Sequence, residues 1–342
     1  MSTALSPDPL PSRRKPRWPA IALISLCASA LAGFGYGRAT LADIAAALPR
    51  TPDIATMPVS TVVVDRNGEL LRPYTTNDGI WRLPVELKDV DRHFVDMLIA
   101  YEDRHFEEHH GIDWGGVLRA AGQFVLAGGH IVSGGSTLSM QLARLIEVNS
   151  TRDLGAKVRQ MVHADALEHQ LSKDQILSLY LNLAPYGGNI EGIRAASLAY
   201  FGKEPARLTT AEAALLVALP QSPEARRPDR DPKAAEAGRN LVLDRMVSEG
   251  VLSAEEAAAA KREPIPTARR DFPMLAAHLG DEAVKAKPNA REIKVTIDKR
   301  LQGALEKLAQ ARATMIGPKV SVAIVAADLA TGDILASVGS AG

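Results

Sequence analysis

The 342-residue sequence contains one cysteine, Cys27, so an intrachain disulfide framework is excluded. Cys27 stands in an apolar run, and lipid is its expected surrounding. Aromatic residues make up only 4% of the chain, too few for a base-stacking platform. Charge of either sign is not in excess, since Lys+Arg and Asp+Glu both number 40. Net charge therefore gives no reason to expect nucleic acid, and any electrostatic function must come from local clusters. Internal repeats and long low-complexity segments are absent as well. The length suits one large domain or two ordinary ones.

From Trp18 to Gly37 there is no charged residue, a length that crosses a bilayer as a helix. Arg13, Arg14, Lys15 and Arg17 precede it, which predicts a cytoplasmic tail over residues 1–17 and the remainder of the chain outside. A cleaved signal peptide is the rival, because Ala28-Ser29-Ala30 could serve as a cleavage site. The apolar run continues through Leu31 and Phe34, which favours a retained anchor over 18–37. Residues after Ser12-Arg13-Arg14 do not fit a twin-arginine signal, and Leu26 is too large for a lipobox.

Residues 38–83 read as a stalk and a small β segment, with strand, turn and strand around Asp65-Arg66-Asn67-Gly68-Glu69. A mainly helical domain is expected over 84–262. Its signals include capping boxes at Ser172/Gln175, Thr209/Glu212 and Ser253/Glu256, and a cap at Ser136 or Thr137. A glycine-rich gap, Gly128 to Gly135, precedes that cap, and Pro185 to Asn189 must turn. Three prolines between Glu263 and Pro273 suggest a linker over 263–290. Beyond it, 291–342 alternates as strand, helix and a hairpin about Thr331-Gly332-Asp333.

Three constellations could carry chemistry. Phe94, Leu98, Glu102 and Phe106 recur every fourth residue, so a carboxylate sits where a helix row asks for an apolar side chain. Partial burial would raise its pKa and suit it to accept a proton near neutral pH. The plain alternative is a helix that ends at Tyr101, with its acids and bases in a solvated turn. His105-Phe106-Glu107-Glu108-His109 matches an inverse zincin pattern, although Gly111 leaves little room for a helix there. Arg144, Arg152, Lys157 and Arg159, with Arg119 and Lys173 as candidate additions, could grip a pyrophosphate or form a solvated helix face.

Together these motifs resemble the family 51 glycosyltransferases, the peptidoglycan polymerases of class A penicillin-binding proteins. Glu102-Asp103-Arg104, Phe106, His109, Gly111 and Asp113 resemble the first motif of that family. Gly134-Gly135-Ser136-Thr137-Leu138-Ser139-Met140-Gln141-Leu142-Ala143-Arg144 resembles the second, and Lys157-Val158-Arg159-Gln160 stands at the third. Lys173 to Asn182, continuing through Pro185-Tyr186-Gly187, resembles the fourth, and Arg239-Asn240-Leu241-Val242-Leu243 the fifth. Five motifs in order are far more specific than the zinc pattern, which the resemblance displaces.

The resemblance implies a mainly α, lysozyme-like domain behind one transmembrane helix, with a membrane-dipping flap and a small α/β remnant at the C-terminus. It implies polymerisation of lipid II into β-1,4-linked glycan with release of undecaprenyl pyrophosphate. Glu102 matches the general base. Arg144, Arg152, Lys157 and Arg159 would hold the pyrophosphate, and Ser136, Thr137 and Gln141 would contact the glycan. Asp103, Arg104, Phe106, His109, Asn182 and Tyr186 complete the implied substrate site. Expected partners are the inner membrane, the growing glycan strand and other cell-wall synthesis proteins, with no nucleic acid. The catalytic domain belongs on the periplasmic side.

Departures accompany the likeness. Gln160 occupies the catalytic place where the family usually carries a second glutamate, and an amide ligates a cation poorly. A divalent cation (Mg or Mn) at the pyrophosphate is therefore optional, and no cofactor is obligatory. Ala156 replaces a common arginine and Met140 a common glutamine, and with Pro185-Tyr186-Gly187-Gly188 the pattern looks most like the 1C branch. Residues 291–342 resemble the opening of a transpeptidase domain, yet Ser-x-x-Lys occurs only at Ser12 to Lys15 and Lys-Thr-Gly not at all. Transpeptidase activity is not expected, a separate transpeptidase is an expected partner, and removal of residues beyond about 275 should spare polymerase activity. A lysozyme-like hydrolase and a non-catalytic lipid II scaffold are the alternative functions.

Overall fold

The computed structural model describes residues 37–53, 55–126, 135–147, 153–317 and 319–339. The expected tail and nearly all of the expected membrane helix, most of the glycine-rich gap, and Arg152 lie outside the described residues. Among the described residues no helix is long and apolar enough to cross a membrane. Residues 1–48 and 49–342 form separate units, and the first contributes one described helix, α1, over residues 37–46.

The second unit is mainly helical, as the patterning implied. Its centre is α8 (Thr210–Ala218), whose Ala211, Ala213, Ala214, Leu215, Leu216, Val217 and Ala218 are all buried. A helix apolar on every side can only be stable inside a shell of other helices. That shell includes α2 (Arg92–Glu102), α9 (Pro232–Ser248) and α10 (Ala254–Lys261). A second group, α4 (Leu138–Ile146), α5 (Leu154–Gln170) and α6 (Lys173–Leu183), packs beside it, with α7 (Ile193–Phe201) touching both α6 and α8. All three expected capping boxes form, at the starts of α6, α8 and α10. Thr137 rather than Ser136 caps α4, its hydroxyl accepting from Met140 N at 3.1 Å.

The expected strand–turn–strand is present as β1 (Val62–Val64) and β2 (Leu70–Pro73), paired antiparallel, and a separate parallel pair joins β3 (Trp81–Arg82) to β4 (Ile190–Glu191). Sequence reading did not anticipate a third partner, β5 (Glu292–Lys294), which runs parallel to β1 with Val63 opposite Ile293. Val63, Leu71, Ile293 and Ile297 make a small core of their own. Thus the "stalk" and the C-terminal region share one sheet. The segment 263–290 is likewise more than a linker. It contains α11 (Ala277–Ala286), and its extended part packs Phe272 on Trp81 with ring centroids 4.8 Å apart. Periodicity misses such a segment because long-range backbone pairing, such as Arg270 N to Ala199 O at 2.7 Å, leaves no local pattern.

Cutting the chain near 275 would therefore strip Val63 and Leu71 of their cover. The same contact is tested by Ile293→Ala, expected to cost roughly 2–4 kcal/mol as a large-to-small core change. A thermal melt unchanged within a degree would contradict it. After β5 come α12 (Lys299–Ile316) and the expected hairpin, β6 (Ile324–Ala327) with β7 (Ile334–Val338).

Candidate active site

Glu102 is the last residue of α2. The apolar row holds up to it: Phe94 and Leu98 are buried, and Glu102 is half-buried at the edge of the same face. Phe106 is also buried, but from the turn beyond the helix rather than from the helix itself. The solvated-turn alternative fails for Glu102 and Asp103, and it holds for the exposed Glu107 and Glu108.

Both oxygens of Glu102 accept hydrogen bonds. Gln141 Nε2, from α4, donates to Oε2 at 2.8 Å. Gln221 Nε2, from the turn after α8, donates to Oε1 at 3.0 Å. Tyr180 of α6 donates its hydroxyl to Gln141 Oε1 at 3.4 Å, which turns the amide so that its NH2 faces the carboxylate. Burial pushes the Glu102 carboxyl above its ordinary range, opposed by these two donors and by the charges of Arg245 and Arg226. Tyr180, Gln221, Arg226 and Arg245 were not singled out as site residues from the sequence. They sit far from Glu102 along the chain, and no periodicity ties them to it.

The basic cluster comes together in part. Lys157 of α5 donates a short hydrogen bond to Ser136 Oγ, immediately before α4. Burial, and the nearby charge of Arg144, hold the Lys157 ammonium below its ordinary range. Among the described residues neither Lys157 nor Arg144 has a carboxylate within ion-pair distance. Arg144 lies three residues beyond Gln141 on α4, so one helix edge carries both the Glu102 partner and a cation. Arg159 is exposed on α5. Lys173 does not join the cluster: its ammonium bonds Glu168 Oε1 and His109 O, both at 2.7 Å, and covers the Phe106 ring at 4.5 Å.

Several residues expected to touch substrate are instead enclosed in the frame. Buried His109 places Nε2 2.9 Å from Asp103 Oδ1, and Asp103 Oδ2 accepts the Leu138 N–H at 2.8 Å, so a carboxylate caps the start of α4. Thr137 Oγ1 donates to Gly111 O at 2.6 Å. Gly111 has φ +82°, and a Cβ there would lie 2.7 Å from the backbone of Ala164, so only glycine lets this turn lie on α5. Asn182 spends its whole amide on Val85 N, Val85 O and Ser178 O. Tyr186 and Phe106 are buried in the core. Arg104 is exposed but pairs with Glu249 at 2.7 Å. These side chains hold the site's walls, because buried groups with internal partners have little left for a ligand.

The zinc pattern dissolves in the fold. His105 turns to Asp113 at 3.2 Å while His109 turns to Asp103, and among the described residues no group of three metal-ligating side chains lies together. Gln160 is buried on α5, 8% exposed, and brings a neutral amide.

A half-buried carboxylate clamped by two amides, with Arg144 one turn beyond Gln141 on α4, makes up the candidate site. The family model described as Transglycosylase matches residues 67–247, and the chain belongs to that family. Penicillin-binding protein 1C of Escherichia coli (strain K12) is 46% identical over 78% of this chain and 34% of its own length. Penicillin-binding protein 1F of Bacillus subtilis (strain 168) is 39% identical over 59% of this chain and 28% of its own. The chain thus spans about a third or less of these relatives. A crystal structure of penicillin-binding protein 1A from Haemophilus influenzae aligns over 77% of this chain and 30% of its own at 23% identity. Its TM-score of 0.36 is too low to bear on the fold.

Proposed function

We propose that this chain is a membrane-bound peptidoglycan glycosyltransferase that polymerises lipid II. Glu102 takes the proton from the 4-hydroxyl of the incoming GlcNAc as that oxygen attacks the anomeric carbon of the MurNAc donor. The bond from that carbon to undecaprenyl pyrophosphate breaks, and the diphosphate leaves with the electron pair. One displacement converts α to β, so no glycosyl-enzyme is required. Arg144, Lys157 and Arg159 stabilise the charge that develops on the leaving group.

The observation that carries this reading is the Arg144–Lys157 pair. Burial, and then the charge of Arg144, hold the lysine below its ordinary range, and with no carboxylate partner for either among the described residues the two favour an anion. A glycan hydrolase would have no use for such a pair. Trp114, Leu118 and Leu126 of α3 (Trp114–Leu126) lie four and eight residues apart and are 62%, 73% and 90% exposed, an apolar row suited to a lipid surface.

The test is incubation of the detergent-solubilised chain with labelled lipid II. Glycan chains and released undecaprenyl pyrophosphate are expected; binding without polymer would instead favour a scaffold. Gln160→Glu, with magnesium added, should run at the wild-type rate or up to about tenfold faster, a step worth about 1.4 kcal/mol of barrier. A clear loss would mean that the amide has a role of its own.

A further inference from the structure

We propose that Gln221 is a positioning residue for Glu102, and that Arg226 holds Gln221 in the pose that does this. The inference rests on the polymerase reading only for its kinetic consequence; the geometry stands apart from it.

Gln221 is exposed in the turn Pro220-Gln221-Ser222, directly after α8. A long amide at such a place ordinarily samples several rotamers. Here both ends are engaged. Its Nε2 donates to Glu102 Oε1, and its Oε1 accepts from Arg226 Nη1 at 3.3 Å. Arg226 is itself tied down, since the same Nη1 donates to Ala218 O at 2.8 Å. Gly238 of α9 makes room for it: a Cβ there would stand 3.1 Å from Arg226 Cδ. The chain of contacts runs from the end of α8 through Arg226 and Gln221 to the carboxylate.

Gln141 meets the other oxygen from α4, so the carboxylate plane is set by two donors on elements distant in sequence. Each donor favours the ionised form over the protonated one. A carboxylate has about four lone-pair sites, so two donors leave capacity for a substrate hydroxyl. The other groups facing it are the Arg226 and Arg245 guanidiniums, which act in the same direction, and the Tyr101 and Tyr180 phenols, which stay neutral and whose own ionisation Glu102 opposes. Arg245 lies over the Tyr101 ring, 5.1 Å from its centre, and is exposed to screening solvent. Gln221 is thus the contact on the Oε1 side that is both direct and held.

The experiment uses the full chain in detergent, with Gln221→Leu, Gln221→Lys and Arg226→Met. The first readout needs no turnover: infrared titration of the Glu102 carboxylate, isolated by subtracting the spectrum of Glu102→Gln. Gln221→Leu should raise the midpoint by about one pH unit, the scale of one hydrogen bond to a charged group. Arg226→Met should raise it by less, and Gln221→Lys should leave it at or below the wild-type value. The second readout is the pH–rate profile, whose acid limb should move with the midpoint in each variant. A wild-type midpoint that Gln221→Leu leaves unmoved would overturn the proposal. So would a uniform loss of rate at every pH with an unmoved midpoint, which is the mark of a merely structural residue. Midpoints that move as described in a wild-type chain making no polymer would support the positioning role and remove the polymerase reading.

Discussion

Glu102→Gln should abolish glycan chain growth, with turnover falling by about 10³-fold or more while lipid II binding survives. The amide keeps the volume of the carboxylate but cannot take a proton, and positioned general bases contribute roughly 10²–10⁴ to rate. A second penalty comes from the clamp. Gln141 and Gln221 both present NH2 groups to residue 102. A carboxylate satisfies both, whereas an amide has one oxygen and sets its own NH2 against one donor. Glu102→Asp, which restores a base on a shorter stem, should recover part of the rate. Polymer synthesis and lipid II binding, measured side by side, separate the outcomes: a variant that fails to bind would mean a wall of the site and not its base. The pH dependence follows from the direction in which burial moves this group. The base works when ionised, and its pKa lies above the ordinary carboxylate value of 4.5, so activity should fall with falling pH before an exposed glutamate would protonate.

Arg239→Met should lower stability by roughly 3–5 kcal/mol without touching the chemistry directly. Arg239 is 1% exposed on α9, the largest fully buried side chain among the described residues. Its guanidinium donates to Glu263 O and Lys261 O, the latter at 2.9 Å, and to Asn240 Oδ1 at 3.0 and 3.1 Å. Removing it orphans two carbonyls at the exit of α10, where the chain enters the extended stretch that reaches Arg269 and Phe272. Arg239→Lys should fail to rescue fully, because one ammonium cannot reproduce a planar fork aimed at three acceptors. Thermal unfolding checks both variants, with a fall of roughly 6–20 °C expected for the methionine if each kcal/mol moves the midpoint by about 2–4 °C. A melt within two degrees of wild type would show that the carbonyls find other donors. The fifth-motif arginine thus ties α9 to the end of α10 and to the segment after it.

Much of this protein was legible from local pattern. The capping boxes at Ser172, Thr209 and Ser253 start their helices as written, because a cap needs only residues three apart. The Phe94–Leu98–Glu102 row, likewise a matter of spacing, located the carboxylate and its half-burial. Motif order carried the family. Tertiary structure decided what those residues face. It paired β5 with β1 across more than two hundred residues, enclosed Asp103, His109 and Asn182 in the frame, and withdrew Lys173 from the cation cluster by giving it Glu168. It also brought Gln221 to Glu102 from the turn after the central helix. A periodic signal reports which side of an element is apolar; it carries no information about which distant side chain supplies the hydrogen bond, because that depends on how the elements cross.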